Sequence, residues 1–136
     1  MSKTAQNKAS PASLRALALA PSSGFRTASV TVPEWQGVRV NIREPSSQAW
    51  LEWESVIRPA LKEGEEEDVL TPAQIAHRNI KADVMLFIDV VLDEDMMPVF
   101  LPEDREQVQG IYGPVHARLL KQALQLSTSQ ADAEAK

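Results

Sequence analysis

The chain has 136 residues, of which 43% are hydrophobic and 24% charged, and this is enough apolar sequence for one folded domain. Its 14 basic and 19 acidic residues give a formal net charge of −5, which excludes a general attraction for nucleic acid. Cysteine is absent, so disulfides and thiolate zinc sites are excluded, and no apolar run reaches the roughly 20 residues that a membrane span needs.

The beginning of the chain is small and polar except for a short Leu/Ala segment at residues 13–21. This segment contains Arg15 and is short for the hydrophobic part of a signal peptide. The sequence Pro-Ser-Ser-Gly at residues 21–24 then separates it from the rest of the chain. We therefore expect residues 1–24 to form a flexible N-terminal arm.

Strict alternation of apolar and polar residues on both sides of a short loop predicts a β-hairpin at residues 27–43. The loop, Pro-Glu-Trp-Gln-Gly at residues 33–37, contains the Pro and Gly that suit a tight connection and places Trp35 at its centre. One register brings all the apolar residues to one face: it pairs Val32 with Val38, Val30 with Val40 and Ala28 with Ile42.

A helix is predicted directly after the hairpin, because Ser46 and Ser47 can cap a helix N-terminus. Four large apolar residues occur beyond them at helical spacings: Trp50, Trp53, Ile57 and Leu61. A two-stranded hairpin is marginal in water and needs a cover. We therefore expect the two tryptophans and Ile57 to pack on its apolar face.

The longest predicted helix starts at the capping box Thr-Pro-Ala-Gln, residues 71–74, and ends near Leu92. Its second half is polar only at Asp89, so we expect this half to be buried or to meet a partner. The predicted apolar stripe contains Ile75, Ala76, Ile80, Val84, Phe87 and Val91.

Two further helices are predicted, one starting at residues 102–104 and one after the Gly113-Pro114 break. The sequence therefore predicts a mainly α protein with one N-terminal antiparallel β-hairpin, an α+β fold. The domain is expected to span residues 25–127, and residues 128–136 are expected to form a flexible C-terminal tail.

No catalytic constellation is evident in the sequence. The two histidines, His77 and His116, do not lie in a metalloprotease or comparable motif, and no nucleophile elbow or phosphate-binding loop is present. We expect the protein not to be an enzyme and to need no cofactor.

Metal and phosphate sites are not indicated either. The acidic run at residues 62–68 lacks calcium-loop spacing and is typical of a solvated loop, and Asp89 and Asp93 are expected on a solvated helix face. Arg39 and Arg43 lie on the polar face of the hairpin, where they favour solubility over nucleic-acid binding.

The sequence of residues 28–54 resembles the tail assembly chaperones of long-tailed bacteriophages with non-contractile tails. Members of that family carry a Val-x-Val-Pro-Glu-Trp-x-Gly hairpin, a second strand ending in Arg-Glu, and a helix with an early aromatic residue. The matching residues here are Val30, Val32, Pro33, Glu34, Trp35, Gly37, Val38, Val40, Arg43, Glu44 and Trp50.

The resemblance implies a late phage or prophage protein that works in the host cytoplasm and catalyses nothing. Such proteins bind the tape-measure protein, hold it soluble, help to recruit tail-tube subunits, and are absent from the mature virion. The partners expected here are therefore a tape-measure protein and a tail-tube protein, with no nucleic acid and no membrane. Two alternatives stay open: a small prophage-encoded adaptor or regulatory binding module, and a virion structural connector.

Four residues are expected to bind the partner: Trp35, Met96, Met97 and Phe100. Methionine is flexible and polarizable and suits an adaptable contact surface, and the acids of residues 93–95 would keep that surface soluble. Met97 and Phe100 could instead be core residues at a helix junction, and Trp35 could fold back on the hairpin. Self-association is also expected, because the hairpin has two open edges and the second half of the long helix is apolar.

Overall fold

The molecule consists of helices arranged around a small antiparallel sheet. The computed structural model describes residues 10–59, 61, 63–67 and 69–135. Its elements are α1 (Pro11–Leu19), β1 (Thr27–Val32), β2 (Val38–Arg43), α2 (Ser47–Ile57), α3 (Pro72–Val90), β3 (Val91–Leu92), α4 (Arg105–Ile111) and α5 (Pro114–Ala135). The predicted class, a mainly α single domain with an antiparallel hairpin, is confirmed, and the hairpin comes after α1 in the chain.

The hairpin has the predicted bounds and the predicted register. Strand β1 pairs with β2 from Thr27 opposite Arg43 to Val32 opposite Val38. The loop between them is a 3₁₀ turn over Pro33–Trp35, and Gly37 then adopts φ +73°, a left-handed conformation that glycine accepts without steric cost. Alternation and turn chemistry therefore determine this element locally.

A third strand extends the sheet, and the predicted end of the long helix at Leu92 was two residues too late. Helix α3 ends at Val90, and β3 then pairs antiparallel with β2, with Val91 opposite Ile42 and Leu92 opposite Asn41. The strand order is β1-β2-β3. Two apolar residues at a helix end, one of them β-branched, are thus used to extend the sheet.

The core lies between the sheet and the second half of α3. Residues from both, together with residues of α5, form one cluster of buried side chains; its members include Val32, Val40, Ile42, Val84, Leu86, Phe87, Val90, Leu119, Leu120 and Ala123. Because the apolar half of α3 is buried inside the chain, it offers no surface for self-association. Oligomerisation stays a prediction.

Helix α5 covers the apolar face of the hairpin, and the prediction that the tryptophans of α2 would do so was wrong. Helix α2 packs against α3. There Trp53 is half-buried against the core, while Trp50 is 41% exposed. The second half of α3 is apolar on most sides and needs more than one cover, so α2 packs on one side of it and the leucine stripe of α5 covers the hairpin.

The predicted stripe of α3 is buried only in its second half. Ile75 and Ile80 are each 38% exposed, whereas Val84 and Phe87 are buried. Periodicity identifies the apolar side of a helix but not how far its neighbours extend along it.

A polar network joins the end of β2 to α3. The Arg43 guanidinium donates to both oxygens of the Asp89 carboxylate at 3.0 and 3.1 Å. The same carboxylate accepts from the N–H of Ser46 at 2.8 Å and from its hydroxyl at 3.2 Å. The Arg43 guanidinium also lies 4.5 Å from the centre of the Phe25 ring. The predictions that Asp89 lies on a solvated face and that Arg43 serves solubility were therefore wrong.

The two ends of the chain contain helices in the described residues. Helix α1 has no buried residue, and α5 continues to Ala135. Residues 1–9 and 136 of the predicted arm and tail lie outside the described residues. The boundaries at residues 24 and 127 stay predictions. In the part of the chain that the structure describes, no helix combines the length and the apolar character that crossing a membrane requires.

Candidate partner-binding cleft

An open apolar cleft of about 450 Å³ lies between the hairpin loop and the segment after β3. A pocket of this size suits large apolar side chains. Its walls come from the hairpin loop, β2, β3 with the segment that follows it, and α5. The lining residues are Trp35, Val38, Arg39, Val40, Val91, Asp93, Glu94, Val99, Phe100 and His116.

The hairpin loop is held over α5 by an ion pair. Both oxygens of the Glu34 carboxylate accept from the Arg118 guanidinium, each at 2.7 Å. Hydrogen bonding from Arg118 lowers the pKa of Glu34 to about 2. The next residue, Trp35, is half-buried, and its ring meets the ring of His116 edge-on at 5.5 Å. The loop therefore places Trp35 at the floor of the cleft.

His116 joins the cleft to the core. Its Nδ1 accepts from the Gly113 N–H at 3.0 Å, and its ring lies 5.2 Å from that of Phe87 and stacks on Tyr112 at 5.5 Å. Burial lowers the pKa of His116. Periodicity in the sequence does not reveal this cluster, because Phe87, Tyr112 and His116 come from separate parts of the chain.

The segment after β3 is an ordered turn that Asp93 organises. The Asp93 N–H donates to the Met97 carbonyl at 2.8 Å, and one carboxylate oxygen of Asp93 accepts from the N–H groups of Asp95 and Met97 at 2.8 and 3.0 Å. Met96 adopts φ +66°, and Pro98 forms a bridge with Leu92. The turn directs the next residues back along the sheet and forms the second wall of the cleft.

The structure brings two of the four predicted contact residues together. Trp35 and Phe100 both line the cleft, and Phe100 also packs on the buried Phe87 with ring centres 5.4 Å apart. Met96 and Met97 lie in the adjacent turn and do not line the cleft, although Met97 is 57% exposed. Whether these residues bind a partner stays a prediction.

Sequence reasoning missed two exposed valines of the cleft. Val38 is 45% exposed and Val99 is 47% exposed, and both line it. The signal for Val38 was present, since it belongs to the apolar face of the hairpin beside the loop. Val99 is brought there by the Asp93 turn, which has no simple periodic signature.

The arrangement can hold apolar side chains beside two carboxylates, those of Asp93 and Glu94. Within the described residues, no three His, Asp or Glu side chains come together in a way that could hold a metal ion. The chemistry that this site supports is binding by burial of apolar surface.

His116 is expected to make stability fall as the pH drops below about 6.5, the ordinary pKa of histidine. Its pKa is lowered in the folded state, so the unfolded chain binds more protons. The stabilisation that the neutral ring provides is complete above the pKa of His116 in the unfolded chain. It is lost as the pH falls through the lower pKa of His116 in the folded state. Urea midpoints measured between about pH 7.5 and about pH 5.5 should therefore fall more steeply for the wild type than for His116→Gln.

His77→Gln is the matched control, because His77 is exposed on α3. This variant shows whether removal of a histidine from another helix has the same effect. If the urea midpoint of His116→Gln changes with pH as steeply as that of the wild type, His116 is not the source of the pH dependence.

Comparison with known proteins agrees with the observed fold and with the family resemblance of residues 28–54. Residues 13–136 match the family described as phage tail assembly chaperone. Among solved structures, the tail assembly chaperone of bacteriophage HK97 is similar, with 51% sequence identity and a TM-score of 0.71 over 83% of this chain and 95% of that chain. None of the curated proteins compared with the chain matches it. The match over nearly the whole sequence and the agreement in structure together establish that the chain belongs to the phage tail assembly chaperone family.

Proposed function

We propose that this protein binds its phage's tape-measure protein during tail assembly and keeps it soluble. In this proposal it also helps to recruit tail-tube subunits, acts in the host cytoplasm without catalysing a reaction, and is absent from the mature virion. The observation that carries the proposal is the apolar cleft on a chain of the tail assembly chaperone family.

The cleft and the turn beside it supply the contact surface in this proposal. Trp35 and Phe100 contact the partner inside the cleft, and Met96 and Met97 contact it from the adjacent turn. Met97 can bend to fit different neighbours, because its side chain is unbranched and 57% exposed. The surface is therefore adaptable at its edge and more rigid at its floor, where Trp35 packs against His116.

Charge around the cleft keeps an exposed apolar surface compatible with a soluble protein. The chain has a formal net charge of −5, and Asp93 and Glu94 stand at the cleft itself. Like charges on separate copies repel, which opposes aggregation through the same surface that binds the partner.

The proposal is tested by expressing the tape-measure protein of the same phage with and without this chain. We expect the tape-measure protein to be soluble with the chain and insoluble without it. If the wild-type chain leaves the tape-measure protein insoluble, the proposed function is wrong.

Substitution of exposed cleft and turn residues is expected to weaken partner binding without unfolding the chaperone. Val99→Asp and Met97→Asp each place a carboxylate on the contact surface, and its desolvation on binding should weaken binding about tenfold or more. Both residues are about half exposed in the free protein, so the free energy of unfolding should change by less than about 1 kcal/mol. Co-purification yields and urea unfolding measure the two effects.

Leu51→Asp is the control for these variants. Leu51 is 66% exposed on α2 and does not line the cleft. It should bind the partner as the wild type does. If all three variants bind the partner as tightly as the wild type does, the cleft and the turn are not the contact surface.

A further inference from the structure

Strand β2 is covered on one side along its whole length but on the other side along only part of it. All six of its residues pair with β1. On the opposite side, β3 pairs with Asn41 and Ile42 only. Beyond Leu92 the described part of the chain makes no further pair with β2 and turns back at Asp93. Within the described residues, the edge of β2 at Val38–Val40 therefore has no neighbouring strand.

The backbone of Arg39 is directed toward this open edge. In an antiparallel pair, residues alternate between those that bond the partner strand and those that point their N–H and C=O away from it. The Glu44 N–H donates to the Arg26 carbonyl at 3.1 Å, which sets the phase of the alternation. Every second residue counted back from Glu44 therefore bonds β1, and these residues include Val40 and Val38. Arg39 lies between them, so it presents its N–H and its C=O to the open side.

The open edge coincides with the apolar cleft. Val38, Arg39 and Val40 all line the cleft, as do Val99 and Phe100 from the opposite segment. An extended peptide binds where unpaired strand groups lie beside a pocket for its side chains. A helix would not use this edge, since its own backbone groups are already bonded. No residue of β1 lines this cleft, so the free edge of β1 does not offer the same combination with it.

We infer that an extended segment of the partner adds to β2 as a short strand that continues the line of β3. The segment exchanges two backbone hydrogen bonds with Arg39 and inserts a large apolar side chain into the cleft. A lysine or arginine next to that apolar residue faces Asp93 and Glu94, which form no ion pair among the described residues. This inference rests on the proposed function, because it assumes that the cleft binds the tape-measure protein.

Hydrogen exchange tests the inference on the unmodified protein. The full chain is compared alone and in complex with the tape-measure protein of its own phage. Amide exchange at residues 38–40 should slow about tenfold or more in the complex, because the Arg39 N–H gains a partner. Unchanged exchange at these residues, or slowing confined to β1, would overturn the inference.

Two proline variants supply a matched comparison. Arg39→Pro removes the N–H that faces the open edge, and the fold should tolerate it because no bond to β1 is lost. Thr31 lies directly opposite Arg39 and points its N–H to the other edge, so Thr31→Pro makes the same change on the side away from this cleft. Circular dichroism and thermal melting check that both variants fold.

Binding is measured by fluorescence anisotropy with overlapping synthetic peptides that cover the tape-measure sequence. Arg39→Pro should bind the best peptide about tenfold more weakly than the wild type does, which corresponds to the loss of one buried hydrogen bond. Thr31→Pro should bind it as the wild type does. Arg39→Ala, which removes the guanidinium and keeps the N–H, should bind more tightly than Arg39→Pro.

The outcomes separate this inference from the proposed function. If the wild type solubilises the tape-measure protein and Arg39→Pro binds as tightly as the wild type, strand addition is wrong and the chaperone function stands. If the wild type neither solubilises the tape-measure protein nor binds its peptides, both are wrong. If the best peptide has no basic residue beside its apolar residue, the inferred contact of a lysine or arginine with Asp93 and Glu94 is wrong.

Discussion

Replacement of Phe87 by alanine is expected to lower the free energy of unfolding by about 3–5 kcal/mol, the range for removal of a buried aromatic side chain. The Phe87 side chain is 0% exposed. Its ring contacts those of Phe100, Tyr112 and His116, with centres 5.4, 5.8 and 5.2 Å away. Phe100 and His116 also line the cleft, so a cavity at Phe87 would loosen the cleft as well.

Urea unfolding followed by circular dichroism measures this loss. Because domains of this size are stable by only about 5–15 kcal/mol, this loss is a large fraction of the total stability and should lower the urea midpoint clearly. Phe87→Leu keeps most of the volume and should cost less than about 1.5 kcal/mol. A loss below about 1 kcal/mol for Phe87→Ala would mean that Phe87 is not a central core residue.

Replacement of Asp89 by alanine is expected to lower the free energy of unfolding by about 3 kcal/mol. The Arg43 and Asp89 side chains are only 13% and 21% exposed, so removal of the carboxylate leaves a poorly hydrated guanidinium without its partner. The N–H of Ser46 also loses its acceptor, and Ser46 caps the N-terminus of α2. One substitution therefore weakens the junction of β2, α2 and α3.

Thermal and urea unfolding of Asp89→Ala, Arg43→Ala and the double variant measure the coupling of the pair. We expect the double variant to lose much less than the sum of the two single losses. Glu54→Ala is the control: Glu54 on α2 pairs with Arg58 just beyond the end of the helix, but those side chains are 47% and 73% exposed. This variant should lose less than about 0.5 kcal/mol, as exposed ion pairs usually do. Equal losses in Asp89→Ala and Glu54→Ala would contradict the role of the network.

The hairpin and the helix starts could be predicted from sequence because their causes are local. The register of Val32 with Val38 results from the alternation of adjacent residues, and the loop chemistry lies between them. The start of α3 depends on Thr71 and Gln74, which form the reciprocal capping contacts that the motif predicts.

The third strand and the packing partner of α2 could not be predicted because their causes are distant in sequence. Val91 continues the apolar pattern of α3, and only its contact with Ile42 on β2 makes it part of the sheet. Similarly, periodicity shows that Trp53 lies on an apolar face of α2 but not which of two apolar surfaces covers that face.

The same limit applies to the cleft. The place of Trp35 in a turn is visible in the sequence, but its contact with His116 depends on how α5 crosses the hairpin. Phe100 and the methionines are neighbours in sequence, which predicts a common surface. The turn at Asp93 separates them, with Phe100 against Phe87 and Met97 in solvent.

The covering of the hairpin by the last helix has a consequence for synthesis on the ribosome. Glu34 and Arg118, which join the hairpin loop to α5, are 84 residues apart. At about 5–20 residues per second, the hairpin waits roughly 4–17 s after it is made before its cover is translated. During that interval its valines and the open edges of its strands are exposed in the nascent chain. In the proposed function this protein keeps another tail component soluble, yet it would itself be most exposed to aggregation before α5 has left the ribosome.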